Sequence, residues 1–266
     1  MNATALDDST FTVTTDELRV LRLYLESWTP EDRPVSDLPS ATELRAADPV
    51  LAFDLLCSRG YAVSVAPGRY QIDPRLLAIA AVMSWPSTIL RIRDYRAGVA
   101  QGLVFAYGVV GLAITDVVGA DGTHVLLGRP PADVAAAVRA TLLSAAIAED
   151  PEYGGVVSLG LLGAIGSRSP VDRIDAFARG GIARDRAAIL ASTLAAGNAI
   201  RLDTASRRGA TPSETRMTLF TGGVSDGAWM ATNQGHDAAS LVTIRAATPG
   251  DVGAALSEMY RMTVFS

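Results

Sequence analysis

The sequence predicts an α+β fold built from two similar lobes, because one succession of elements occurs twice. Residues 82–144 contain a strand, a glycine turn, further strands and a helix that begins at a proline, and residues 193–261 repeat this succession. The matching positions are Leu90 and Ile200, Phe105 and Phe220, and Asp133 and Asp251. Their separation grows along the chain, which indicates insertions between elements, and loops tolerate such insertions.

Composition places the chain among folded proteins without lysine chemistry. Of its 266 residues 49% are hydrophobic, too many for a disordered protein. Every one of the 23 basic residues is arginine, so a P-loop ATPase or a Schiff-base enzyme is excluded. The alanine-rich, lysine-free composition indicates a high-GC bacterium. A net charge of −5 argues against broad nucleic-acid binding.

Catalytic and metal sites are not predicted, and neither is a cofactor. Cys57 is the single cysteine and lies in an apolar helical stretch, where it fits as a small core residue. Only His124 and His236 accompany it, without the close spacing of a zinc site. No Gly-x-Ser-x-Gly motif is present, and nothing in the sequence places either histidine beside a nucleophile.

The first lobe begins with a strand at residues 11–13 and a helix that Thr14 or Thr15 caps. Apolar residues recur every three or four positions up to Trp28, as in an amphipathic helix. A helical region from 40 to 59 follows, which Pro49 must kink or divide. The remaining predicted elements are a hairpin at 61–72, a helix at 73–84, strands at 88–95, 99–107, 109–118 and 123–128, and a helix from Pro131 to about Ala146.

Residues 147–169 form a glycine-rich connection between lobes at about 11–146 and 170–266. A glycine-rich loop that binds phosphate needs a strand before it and a helix after it, and neither is evident here. We therefore interpret this stretch as a linker. The second lobe is predicted to contain helices at 170–179 and 183–196, strands at 198–206, 214–221, 227–233 and 239–246, and a last helix that Thr248 caps and Pro249 begins.

Neither a secretory signal nor a membrane helix is predicted, so we expect a cytoplasmic protein. The N-terminus lacks the charged and apolar regions of a signal peptide. Residues 97–115 carry no charge and approach the length of a membrane helix. Four glycines and Gln101 interrupt them, so a buried β-hairpin is the better interpretation.

One alternative function is a DNA-binding transcription regulator, because residues 41–72 are compatible with a winged helix. Four arginines there could face phosphates, namely Arg45, Arg59, Arg69 and Arg75. The segment from 50 to 57 is strongly apolar and contains Asp54, so it reads as a core helix rather than a helix for the major groove. An enzyme with an unrecognised site is the third class that stays open.

The order of motifs resembles the EspG chaperones of mycobacterial type VII (ESX) secretion systems over almost the whole chain. The resemblance lies in the strand-to-helix entry at residues 11–18, the approach from Gly60 to Asp73-Pro74, the helix entry at 180–182, the strand with Gly227-Ala228-Trp229, and the duplicated lobe. It implies one EspG-like domain over residues 1–266. The fold of that family is a central, mostly antiparallel sheet flanked by two helical bundles with pseudo-two-fold symmetry.

The resemblance implies a cytosolic, non-enzymatic chaperone that binds the helical tip of a PPE protein in a PE/PPE heterodimer and keeps it soluble for secretion. It further implies contact with components of the secretion ATPase and a homodimer when the client is absent. No nucleic acid is expected as a partner. Some family members carry a long loop after the first leading strand, whereas residues 95–100 are short here, so we expect client contacts in the second lobe.

Aromatic and arginine side chains are the usual anchors of protein interfaces. By position and side-chain type, the predicted client-binding residues are Tyr95, Arg96, Arg207, Arg208, Phe220, Trp229, Met230, Asn233 and Gln234. For each aromatic residue and for the methionine, a place in the core is an equally good interpretation.

Overall fold

The computed structural model describes residues 10–26, 48–144, 154–164, 169–206, 213–220, 228–233 and 239–261. These residues form eight helices and twelve strands. The helices are α1 (Thr15–Glu26), α2 (Pro49–Ser58), α3 (Pro74–Ser84), α4 (Pro131–Ser144), α5 (Leu159–Ala164), α6 (Pro170–Arg179), α7 (Arg184–Ala196) and α8 (Pro249–Arg261). The strands are β1 (Thr10–Thr14), β2 (Ala62–Ala66), β3 (Arg69–Ile72), β4 (Thr88–Arg96), β5 (Val99–Val109), β6 (Leu112–Val118), β7 (Thr123–Arg129), β8 (Gly154–Ser158), β9 (Ala199–Ser206), β10 (Ser213–Phe220), β11 (Trp229–Asn233) and β12 (Leu241–Ala246).

Ten strands form one sheet in the order β1-β7-β6-β5-β4-β9-β10-β11-β12-β8, and β2 pairs with β3. This confirms the α+β class and the predicted succession of strands. Four strands and a helix, β4 to β7 with α4, recur as β9 to β12 with α8. The predicted duplication therefore corresponds to a repeated order of elements.

The chain divides into two compact units. Unit 1 comprises residues 1–89 and 104–134, and unit 2 comprises residues 90–103 and 135–266. The division falls within β4 and β5, so it differs from the predicted lobes at 11–146 and 170–266. Those lobe boundaries stay a prediction.

The core of unit 1 lies between its helices and its strands. Leu21 of α1, Leu56 of α2 and Ile79 of α3 are fully buried together with Ile114 and Leu126 of the sheet. Burial of such a side chain contributes about 1.5 to 3 kcal/mol. Val50 and Leu51, in contrast, are 62% and 58% exposed, so the predicted core helix α2 contributes one face to the core and exposes apolar side chains in its first turn.

The core of unit 2 joins α6 and α7 to strands β8, β11 and β12. Phe177 and Leu190 are fully buried and pack in one cluster with Trp229, Val242 and Ile244. The same sheet is covered elsewhere by buried side chains of α8, whose Thr248 hydroxyl accepts a hydrogen bond from the Asp251 amide at 3.1 Å. That cap is the one predicted from the sequence.

The glycine-rich connection is more than a linker, which corrects the interpretation above. Gly154–Ser158 pairs with β12 as a strand, and Leu159–Ala164 follows as a short helix. Gly155 is required because a Cβ there would lie 2.7 Å from the carbonyl oxygen of Gly180. Glycine is ordinarily disfavoured inside a strand, and the close approach of the two backbones explains why it occupies this position.

The outer strands have hydrogen-bonding partners on their unpaired sides. On β1, the Thr12 amide donates to the Tyr61 hydroxyl at 3.2 Å, and Arg59 Nη1 donates to the Thr12 carbonyl at 3.1 Å. On β8, the Val156 amide donates to the Gly180 carbonyl at 2.9 Å. Such caps oppose strand addition at a sheet edge, which directs attention to the faces of the sheet. Within the described ranges, no helix is long and apolar enough to cross a membrane.

Candidate partner-binding surface

Strand register in unit 2 brings side chains from neighbouring strands to the same face of the sheet. Thr218 of β10 lies opposite Arg201 of β9 and Ala231 of β11. Arg216 lies opposite Asp203. Because side chains alternate along a strand, these five residues share one face, which we call the groove face.

A groove of about 300 Å³ opens on the groove face. Leu159 and Leu162 of α5, Leu194 of α7 and Phe220 of β10 line it, and Tyr95 of β4 joins them. All five side chains are partly buried, so they retain apolar surface that a partner can cover. A concave apolar surface of this kind suits the apolar anchor residues of a partner.

A larger cleft of about 510 Å³ lies beside α8 and is more polar in its chemistry. Thr215, Thr232 and Thr243 contribute hydroxyls to it, and Arg245 Nη1 lies 3.2 Å from Asp251 Oδ1. The Arg245–Asp251 ion pair is already formed in this cleft, so each of these two charges has a partner within the protein. Size alone does not decide which concavity binds a protein.

Three arginines surround one carboxylate on the groove face. Arg201 Nε and Arg216 Nε donate to Asp203 Oδ1 at 3.0 and 2.6 Å, and Arg93 Nη1 lies 3.7 Å from Asp203 Oδ2. Burial raises the pKa of Asp203, but the hydrogen bonds and charges of Arg216 and Arg201 outweigh burial and hold that pKa below its usual value. The carboxylate is therefore ionised, and positive charge exceeds negative charge in this arginine cluster.

The β4–β5 turn is fixed to the end of α7. The Ala97 amide donates to Asn198 Oδ1 at 3.0 Å, and the Gly98 amide donates to the Gly197 carbonyl at 2.8 Å. Ala97 and Gly98 have φ of 48° and 78°, as a two-residue type I′ turn requires. A Cβ at Gly197 would lie 2.6 Å from the Gly98 nitrogen, so glycine permits this approach. The turn holds Tyr95 at the rim of the groove.

The comparisons with known proteins identify a fold rather than a sequence family. No family model matches the chain, and no curated protein matches it. A solved structure of the Mycobacterium tuberculosis type VII secretion system chaperone EspG5, in complex with the PE25–PPE41 dimer, matches with a TM-score of 0.64. The match covers 96% of this chain and 97% of that chain at 16% sequence identity. The chain has the EspG fold.

Three of the predicted client-binding residues lie together in the EspG-like fold. Tyr95, Phe220 and Asn233 line the groove. Arg96 is exposed and pairs with Asp94, with Arg96 Nη2 at 3.3 Å from Asp94 Oδ2. That these residues bind a client stays a prediction.

Two predicted contact residues belong to the core, which is a correction. Trp229 is 3% exposed and Met230 is 0% exposed. They are neighbours on β11 and face opposite sides of the sheet, and both sides are covered at this strand. Neither can contact a partner without repacking of the core. Arg207, Arg208 and Gln234 lie outside the described residues.

Sequence reasoning missed the arginine cluster. Arg201 and Asp203 are two residues apart on β9, which already places them on one face. That spacing is a usable signal for a polar patch. The approach of Arg216 and Arg93 depends on strand register and strand order, which the sequence does not show.

Unit 1 of this EspG-like chain contains a hydroxyl, an imidazole and a carboxylate in contact. His124 Nδ1 lies 2.9 and 3.0 Å from the two oxygens of Asp116, and its Nε2 lies 3.1 Å from Thr15 Oγ1. The sequence alone does not place either histidine beside a nucleophile, and the contact between His124 and the Thr15 hydroxyl becomes visible only in the structure. The Thr15 hydroxyl also donates to the Gly122 carbonyl at 3.1 Å, whereas a nucleophile needs a free hydroxyl and donors for an oxyanion. The contacts fasten the start of α1 to the β6–β7 turn.

Two arginines of the predicted DNA-binding region are engaged with carboxylates. Arg59 Nε lies 3.2 Å from Glu17 Oε1, and Arg75 Nη2 lies 2.7 Å from Asp73 Oδ2. Arg59 and Arg75 are therefore partly neutralised, and the exposed side of α2 is apolar at Val50. These contacts give a DNA-binding function no support.

Proposed function

We propose that this protein is a cytosolic chaperone of a type VII secretion system. Its client would be a PE/PPE heterodimer, bound through the helical tip of the PPE protein and kept soluble for secretion. The observation that carries the proposal is the match to EspG5 over 96% of this chain and 97% of that chain. A likeness that covers both chains almost completely involves the whole architecture rather than one common motif.

The groove supports the same proposal through its chemistry. Leu159, Leu162, Leu194 and Phe220 offer partly buried apolar surface, and a helix end inserts apolar side chains into such a concavity. The fixed β4–β5 turn reduces the ordering that binding would cost. We assign the client site to this groove.

Co-expression with PE/PPE pairs from the genome that encodes this protein tests the proposal. Size-exclusion chromatography with light scattering should find one copy each of chaperone, PE and PPE in a soluble complex. If every pair fails to bind although all the proteins are folded and soluble, the chaperone function is wrong.

Paired substitutions locate the site. Leu162→Asn replaces an apolar side chain of the groove by a polar one and should weaken client binding at least about tenfold, because burying an amide without hydrogen-bond partners is costly. Val171→Asn is the matched control, since Val171 lies on α6 outside the groove lining and is 59% exposed. Isothermal titration calorimetry should show unchanged affinity for that control. Equal weakening by both substitutions would place the client elsewhere.

A further inference from the structure

The arginine cluster carries more positive charge than its internal partner neutralises. Within the described part of the chain, Asp203 is the one acidic side chain bonded to Arg93, Arg201 and Arg216. A guanidinium group has five N–H donors. Since Arg201 and Arg216 direct Nε to Asp203, their terminal amino groups remain able to bind an added anion.

The arginine cluster lies at the groove, where its positive charge can contact a bound partner. Arg201 and Arg216 belong to the lining of the same groove as Leu162 and Phe220. The side chains of Arg93, Arg201 and Arg216 are 28%, 27% and 22% exposed. Partly buried charges interact more strongly than fully solvated ones because the local dielectric constant is lower. Apolar and cationic recognition therefore occur within one concavity.

We propose that the groove selects a client whose docking segment places an aspartate or glutamate beside its apolar anchor residues. This inference rests on the proposed chaperone function and specifies the chemistry of the client. The acidic side chain would bind Arg93, Arg201 and Arg216, while apolar neighbours enter the leucine-lined part of the groove. Asp203 holds the arginines in place before the client arrives, which preorganises them for binding.

A protein carboxylate fits this site better than the phosphates of a nucleic acid. The groove has a volume of about 300 Å³ and a leucine-rich wall, which suits a few side chains rather than a charged backbone. The ionised Asp203 and the net charge of −5 oppose a polyanion. One added carboxylate would instead reduce the local excess of positive charge around Asp203.

The test measures the affinity of the intact protein for a PE/PPE pair that forms the complex, at about 50 and about 500 mM NaCl, since salt screens exposed charge pairs. We expect Arg93→Gln to weaken binding about three- to tenfold at low salt and to reduce the salt dependence. Arg93→Lys keeps the charge and should retain most of the affinity. Replacing the client's acidic residues one at a time by Asn or Gln should identify one whose loss weakens binding less in the Arg93→Gln background than in the wild-type background.

The outcomes separate this inference from the proposed function. A stable complex with salt-independent affinity, unchanged by Arg93→Gln, would overturn the acidic-client inference and leave the chaperone function standing. Displacement of the client by duplex DNA at micromolar concentration would also overturn it, because the cluster would then bind phosphate. If no pair binds the wild-type protein, the proposed function fails and the inference fails with it.

Discussion

Units 1 and 2 each contain an aspartate in an ionisable cluster, but the two clusters differ in what they leave available. Asp116 in unit 1 is 1% exposed and contacts His124, which also contacts Thr15. Asp203 in unit 2 is shared by several arginines and borders a groove. The members of the first cluster satisfy one another, whereas in the second the terminal amino groups of the arginines exceed what Asp203 can accept.

A structural polar cluster differs from a binding one in whether its donors and acceptors are all satisfied by its own members. A cluster that satisfies every member internally stabilises the fold and has nothing to offer a ligand. A cluster with an excess of one charge at a concave surface is a better candidate for recognition. The triad-like geometry in unit 1 is therefore less informative about function than the less familiar arrangement in unit 2.

Substitution of Asp116 tests whether the Asp116–His124–Thr15 cluster stabilises unit 1. Asp116→Ala should lower the free energy of unfolding by about 3 kcal/mol, because it removes a buried partner of His124. Asp116→Asn is the matched control, since its amide oxygen can still accept from Nδ1, and it should lose about 1 kcal/mol. Urea unfolding measures both. An alanine variant as stable as the wild type would mean that the cluster does not stabilise unit 1.

Gly60 in unit 1 and Gly197 in unit 2 both have left-handed backbone, but of the two only Gly197 lies against the β4–β5 turn. Gly197→Ala should destabilise the protein by about 2 kcal/mol, because φ is 68° and the new Cβ would lie 2.6 Å from the Gly98 nitrogen. Gly60→Ala in unit 1 has a similar φ of 73° with open space around the new Cβ. It should cost only about 1 kcal/mol. Thermal unfolding separates the two, and equal losses would show that the close approach to the turn is unimportant.

The same contrast explains which features the sequence predicts. Local patterns define β9, because apolar and polar residues alternate from Ile200 to Asp203, and they define α8 through the Thr248 cap. Gly154–Ser158 escaped prediction because glycine is depleted in strands, and a backbone contact with Gly180 stabilises it here. Nothing local distinguishes a strand covered on both faces from one covered on a single face, so Trp229 could not be assigned to the core.

Long-range pairing limits what can be predicted of the candidate site. Arg93 and Asp203 are far apart in sequence and meet because β4 lies beside β9 in the sheet. His124 and Thr15 meet only because β1 pairs with β7. Type and spacing of residues suggested an interface in the second lobe, but the choice between an anchor and a core residue required the register of the strands.

The charge of Asp203 in the arginine cluster should make a modest, pH-dependent contribution to the free energy of unfolding. The pKa of Asp203 is held below its usual value of 3.8, so its ionised form stabilises the folded state above that pH. This contribution is lost as the pH falls through the folded pKa. Asp203→Asn should therefore lower the free energy of unfolding by about 1 kcal/mol at neutral pH, with a difference from wild type that shrinks in acid.

Asp73→Asn is the control for that titration in unit 1. The hydrogen bond and charge of Arg75 lower the pKa of Asp73, with burial opposing them, but Arg75 is 55% exposed and asparagine also caps a helix well. Its loss of stability at neutral pH should be smaller than that of Asp203→Asn. Urea unfolding of the three proteins between pH 7 and pH 3 measures both differences. If the Asp203→Asn difference persisted unchanged into acid, the carboxylate charge would not be what stabilises the arginine cluster, and Asp203 would act there through hydrogen-bond geometry alone.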